Sequence, residues 1–144
     1  MRLYFIALVL ITCFVTGCER DDARKEILSA VQKPDVVSYL DQWAVEITPK
    51  LKSIAEYRPA TGIALYRVNA TFDWERLSKN RAGVEIGLFG SPERPLGFVF
   101  YIESSYAVVY CMQQQDALCK DAHIAPDEIE WISNRVGILH TKRT

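Results

Sequence analysis

The hydrophobic repeat of this chain changes period once, at Arg58-Pro59, and that change limits the fold more than any other feature. Before it, apolar residues recur at helical spacing. Ala23, Ile27 and Val31 lie four apart with Leu28 beside them, and Val36, Leu40, Trp43, Ile47, Leu51 and Ile54 continue the stripe. That spacing collects apolar side chains on one helical face. Pro34 and Pro49 punctuate it, each suited to a first helical turn, with Thr48 placed as an N-cap before Pro49. The pattern predicts helices near 22–33 and 35–47 and a further turn or two near 49–57. After Arg58-Pro59 the period is two. Within 63–72, Tyr66, Val68, Ala70 and Phe72 share one strand face, and Val84, Ile86 and Leu88 share one face of the next. Residues 73–80 read as a short helix or a loop. Residues 90–95 are a turn cluster, and 96–102 and 106–112 are apolar strands joined as a hairpin by Glu103-Ser104-Ser105. Pro126-Asp127-Glu128 has the composition of a helix start, Ile129, Ile132 and Val136 follow at helical spacing, and Gly137 ends the run. Ile138 to His140 would add a short edge strand. Helices, then strands, then a helix predict an α+β fold. N-terminal helices and one C-terminal helix would pack on an antiparallel sheet of about four strands.

The first eighteen residues carry a different message. Arg2 gives one positive charge, and Leu3 to Val15 is a run of thirteen residues without charge. A bilayer-spanning helix needs about 20 apolar residues, and runs of about 10–14 suit the apolar region of a secretory signal. The run ends Val15-Thr16-Gly17-Cys18. This resembles the lipobox of bacterial lipoproteins: an aliphatic residue, a small or medium one, a small one, then cysteine. Gly17 leaves room for a peptidase, and the Cys18 thiol accepts a diacylglycerol. The resemblance implies cleavage before Cys18, further acylation of the freed amine, and stable anchoring by several chains, palmitate among the expected acids. It covers residues 1–18 alone. It divides the chain into a signal peptide (1–17), a lipidated tether (18–23) and a single domain (24–144), with the domain facing the periplasm. Glu19 follows the cysteine where aspartate would resemble an inner-membrane retention signal, which favours the outer membrane. Cys13 would leave with the signal.

Charge and composition exclude several classes. Net charge is −1, and cleavage removes Arg2 as well, so no basic excess exists to neutralise phosphates and nucleic acid is not an expected partner. Hydrophobic residues make up 49% of the chain, enough to build one core. The tether is short and charged, without the Gly/Ser/Pro linker that would carry a domain far from its anchor.

Cys111 and Cys119 are the strongest local feature of the domain. Export places them in an oxidising compartment, and a bridge across their seven intervening residues would contribute about 2–3 kcal/mol. Cys111, Cys119 and His123, with Met112, also offer soft metal ligands, but C-x7-C-x3-H is no standard zinc spacing. A Cys–His nucleophilic pair would draw on the same residues. Glu85, Glu103, Glu128 and Glu130 form no distinguished carboxylate pair, and there is no nucleophile elbow, P-loop or dinucleotide fingerprint. No cofactor is expected, and no enzyme. The aromatic residues are many for a small domain. If the second sheet face is open, Trp74 and Tyr101 are its candidate contacts, with Arg94 at the tip of an inserting turn. These readings point to a tethered module that binds a protein partner in the envelope, as an accessory subunit or as an inhibitor or immunity protein. Its order of elements is loosely similar to that of small outer-membrane assembly lipoproteins, without a shared motif. The alternative is a small-ligand or metal-binding lipoprotein.

Overall fold

Tyr106 to Cys111 is buried at every position, and the rest of the molecule is arranged around that strand. The computed structural model describes residues 22–59, 63–74, 84–102 and 106–141. The expected signal peptide, Cys18 and Glu103-Ser104-Ser105 lie outside these residues, as does most of 73–80. In chain order the elements are a helix over 22–31 (α1), Val36–Ile47 (α2), a 3-10 turn Thr48–Lys50 and Leu51–Ile54 (α3). Then come β1 Ala55–Tyr57, β2 Tyr66–Val68, β3 Glu85–Gly90, β4 Pro95–Tyr101, β5 Tyr106–Cys111 and α4 Gln115–Ala122. A 3-10 turn Pro126–Glu128 leads into β6 Ile129–Trp131, and β7 Val136–His140 closes the chain. All pairings are antiparallel, and the seven strands lie in the order β1-β2-β3-β4-β5-β7-β6.

Alternation within the central strands feeds two cores. On the first face Leu88, Phe98, Phe100, Val108, Tyr110 and Ile138 meet the stripe of α1 and α2, with Ile27, Val31, Leu40 and Trp43 all buried. Trp43 is the hub. Its ring stands edge-on to Phe72, Phe98 and Phe100 at centroid distances of 5.6, 5.0 and 5.4 Å, and its Nε1–H donates to the Thr71 carbonyl. Such ring pairs contribute about 0.5–1.5 kcal/mol each beyond area burial. On the second face Phe89, Val99, Val109, Cys111 and Leu139 meet Leu118, Cys119 and Ala122 of α4.

The expectation of about four strands with a C-terminal helix is overturned. Among the described residues the sheet has seven strands. Residues 129–140 form a β-hairpin in place of a helix. Ile129, Ile132 and Val136 fit a helical face, but Ile129–Trp131 and Val136–Ile138 also alternate, and the turn between them decides. Ser133 Oγ accepts from the amides of Arg135 and Val136, and the Ile132 and Ser133 amides both donate to the Val136 carbonyl. Side-chain bonding of this kind competes with helix. Residues 55–57 are strand in place of a last helical turn. Thr48 does not cap the following turn, because its hydroxyl donates back to the Ala44 carbonyl. The helix that does cover the second face, α4, occupies a stretch for which the hydrophobic spacing predicts no helix.

Gly97 shows how tightly the second layer sits. A Cβ there would lie 2.2 Å from the Tyr110 carbonyl oxygen and 2.7 Å from Leu118 Cδ1. Backbone cannot yield as a flexible side chain does, so Gly97→Ala is expected to destabilise the fold by about 3 kcal/mol, read as a lower urea midpoint at unchanged m-value.

Candidate functional site

The densest polar constellation among the described residues joins three distant parts of the chain. Asp41 projects from α2, Tyr110 from β5, and Arg135 from the turn that opens β7. Arg135 grips the Asp41 carboxylate with NH1 to Oδ2 at 2.9 Å and NH2 to Oδ1 at 2.5 Å. Its NH2 also donates to Tyr110 Oη and the Met112 carbonyl, and its Nε to the Cys111 carbonyl. The Tyr110 hydroxyl donates in turn to Asp41 Oδ1, and the guanidinium lies 5.3 Å from the Tyr110 ring centroid. Burial pushes the Asp41 carboxyl up, but hydrogen bonds from Arg135 and Tyr110 and the Arg135 charge outweigh it and hold it below the ordinary aspartate value. Burial and the bond to Asp41 raise the Tyr110 phenol. A raised phenol and a guanidinium bonded through all three nitrogens form a clamp. No sequence signal marks it, since its members are 25 to 94 residues apart.

A second cluster lines an open cleft of about 500 Å³ beside β6, among Arg24, Tyr106, Asp127, Glu128, Glu130, Ile138 and His140. Arg24 forks onto Glu130 at 2.7 and 2.6 Å, tying α1 to β6, and His140 stands edge-on to Tyr106 at 5.0 Å. The cleft carries more carboxylate than cation. Glu85, on β3, lines a separate recess of about 240 Å³ between β2 and β3.

The residues singled out in the sequence fall in different places. Trp74 is 1% exposed, in the first-face core, and its indole N–H has no hydrogen-bond partner among the described residues. Tyr101 is half-buried against Ile63 and Ala64, whose backbone bonds its hydroxyl, and burial pushes its phenol above the ordinary tyrosine value. Arg94 is exposed, but its turn is an ordinary tight hairpin closed by Ser91. These three do not form one surface, because the second face is roofed by α4 and by Ala64. Cys111 and Cys119 are free thiols, both buried, and burial raises both above the ordinary thiol value. Thiols so raised are poor nucleophiles. His123 leaves them at the end of α4, where it caps the helix in the left-handed conformation at φ 52°. Among the described residues, no three His, Cys, Asp or Glu side chains are grouped to hold a metal, so the Cys111, Cys119 and His123 set is not assembled.

Two outcomes follow from this geometry. Because Asp41 is depressed in the fold, its contribution is complete above the ordinary value of 3.8 and is lost as pH falls through the lowered one. The stability gap between the native chain and Asp41→Asn is therefore expected to narrow from pH 6 to pH 2, in paired urea titrations. Arg135→Lys should lose about 2 kcal/mol, since an ammonium cannot reach the carboxylate and two carbonyls together. At the α4 terminus, His123→Gly should gain about 0.5–1 kcal/mol, because glycine adopts the left-handed cap without steric cost, read as a raised thermal midpoint.

Among known proteins, no family model, no curated sequence and no solved structure matches the chain.

Proposed function

We propose that the chain is a bacterial lipoprotein, held by acyl chains on Cys18, whose small domain faces the periplasm and binds a protein partner. The order of Arg2, the thirteen uncharged residues, Gly17 and Cys18 carries this reading. The described structure is compatible with it in two respects. Helix α1 is already formed at residue 22, four residues after Cys18, so the tether keeps the domain close to its anchor. Among the described residues, no helix is long and apolar enough to cross a membrane, so the domain itself supplies no second anchor of that kind. Glu19 favours the outer membrane over the inner. The partner role is that of an envelope accessory subunit or of an inhibitor or immunity protein.

We read a binding module rather than an enzyme because the reactive side chains are otherwise employed. Asp41, Tyr110 and Arg135 are bonded to one another, and Arg135 also donates to backbone carbonyls. The thiols are pushed toward the protonated form. A second reading, a ligand-binding lipoprotein, is favoured by the cleft beside β6, whose Asp127, Glu128 and Glu130 would suit a cationic molecule.

Metabolic labelling with palmitate tests the anchor. The full-length chain should take up label and sediment with membranes, and Cys18→Ser should lose both. An unlabelled but membrane-bound chain would replace the lipoprotein with a signal anchor. Crosslinked full-length protein should then carry a stoichiometric partner that Cys18→Ser loses, and recovery of the protein alone would favour the cleft and its ligand.

A further inference from the structure

Cys111 ends β5 and Cys119 lies within α4, three residues beyond the helix's second residue Asp116. Both thiols belong to the second-face cluster. Gly97 is the register partner of Cys111, and a Cβ on Gly97 would fall 2.7 Å from Leu118 Cδ1 and 3.2 Å from the Cys111 Cα. Leu118 therefore lies directly over the pair Gly97–Cys111, and Cys119 is the next residue. Only Met112, Gln113 and Gln114 separate β5 from α4, so the chain doubles back at once. Helix α4 has a second attachment. Asp121 Oδ2 accepts the Gly90 amide at 2.8 Å, and Gly90, at φ 87°, opens the turn that exposes Glu93 and Arg94.

We infer that Cys111 and Cys119, free thiols in this structure, join on oxidation as a disulfide that clasps α4 to the end of β5 and, through Asp121, steadies the Gly90–Pro95 turn. The inference rests on the export that the leader implies, because cytosolic thiols are kept reduced. The oxidant is the disulfide of an envelope thiol oxidoreductase. One cysteine thiolate attacks that disulfide, forming a mixed disulfide and releasing one thiolate of the oxidant. The second cysteine thiolate attacks the mixed bond at the protein sulfur and releases the other. The two cysteines lose two protons and two electrons, and the oxidant leaves as a dithiol. Cys111 is 0% and Cys119 4% exposed, so neither meets an oxidant while α4 is docked. The bond closes before α4 settles or during its opening. A short polar helix with Leu118, Cys119 and Ala122 as its buried contacts is the layer most open to such release.

The test uses the full-length chain taken from membranes in detergent with free thiols trapped. Alkylation after denaturation should find Cys111 and Cys119 blocked until a reductant is added. Reduction of the same chain should raise amide exchange at 115–122 and 90–94 about tenfold or more while the β5–β7 amides hold. It should also shift the unfolding equilibrium by ~50–100-fold, the loop-closure value for so short a ring. Processed, membrane-bound protein whose two thiols alkylate without reductant would overturn the clasp. If the chain is neither processed nor exported, the lipoprotein reading fails separately. Oxidised glutathione then decides on the purified chain. An intramolecular bridge with the same exchange change supports the clasp, and mixed or intermolecular disulfides alone overturn it.

Discussion

Strand β5 is closed to solvent on both faces, and that requirement organises everything else. Tyr106, Val108 and Tyr110 look one way, Ala107, Val109 and Cys111 the other, and none is left in water. A half-buried antiparallel sheet needs one covering layer; a sheet whose centre alternates between two apolar faces needs two. The N-terminal helices roof the first face with large side chains. The second roof sits close, since its sheet residues are glycines where the cover comes nearest: Gly87 under Ala64 and Gly97 under Leu118. An eight-residue helix and the segment at Ile63-Ala64 suffice there, and glycine lets them sit nearly on the backbone.

The two roofs are coupled at one end of β5. Tyr110 points to the first face and Cys111 to the second, and Arg135 reads both, bonding the Tyr110 hydroxyl and the Cys111 carbonyl while gripping Asp41 of α2. The fork thus fixes helix, strand and hairpin turn against one another at the place where α4 departs. It is partly open to solvent, so its worth lies less in Coulomb attraction than in the backbone carbonyls it satisfies and the relative position it sets.

The first roof was legible in the sequence and the second was not, for a physical reason. Ile27, Val31, Val36, Leu40, Trp43, Ile47 and Leu51 are buried as their helical spacing predicts, because a long stripe outweighs local turn preferences. Strands β3, β4 and β5 fall where alternation and unbroken apolar runs put them. Helix α4 escapes because eight mostly polar residues with three buried ones carry almost no periodic signal. The β6–β7 hairpin escapes because three apolar residues fit both periods, and Ser133 chooses between them only once the Val136 amide is in reach. The clamp was invisible for a different reason: no local pattern encodes a contact between residues 41 and 135. The aromatic surplus leaves an open second sheet face as one reading of the sequence, yet Trp74, Phe98, Phe100 and Tyr110 all fill the core of the first face.

That burial changes what kind of partner surface the proposed module has to offer. Among the described residues, the large apolar side chains left outside are Val45, Tyr57 and Leu65. Tyr57 packs on its register partner Tyr66, and Leu65 precedes Tyr66 at the same end of β1–β2, where the Arg58 amide donates to the Leu65 carbonyl. Glu56 and Arg58, paired at 3.0 Å, bracket Tyr57 with charge, which discourages indiscriminate strand pairing along this edge. A surface of this composition suits a modest, wet interface rather than a large apolar one. A lipid anchor makes a modest interface sufficient. Confinement to the same membrane as the partner replaces a search through solution with an encounter at high effective concentration, so affinity that would fail for a free domain can hold a tethered one. On the proposed reading, the acyl chains on Cys18 are then part of the recognition, and the short tether before residue 22 sets its range.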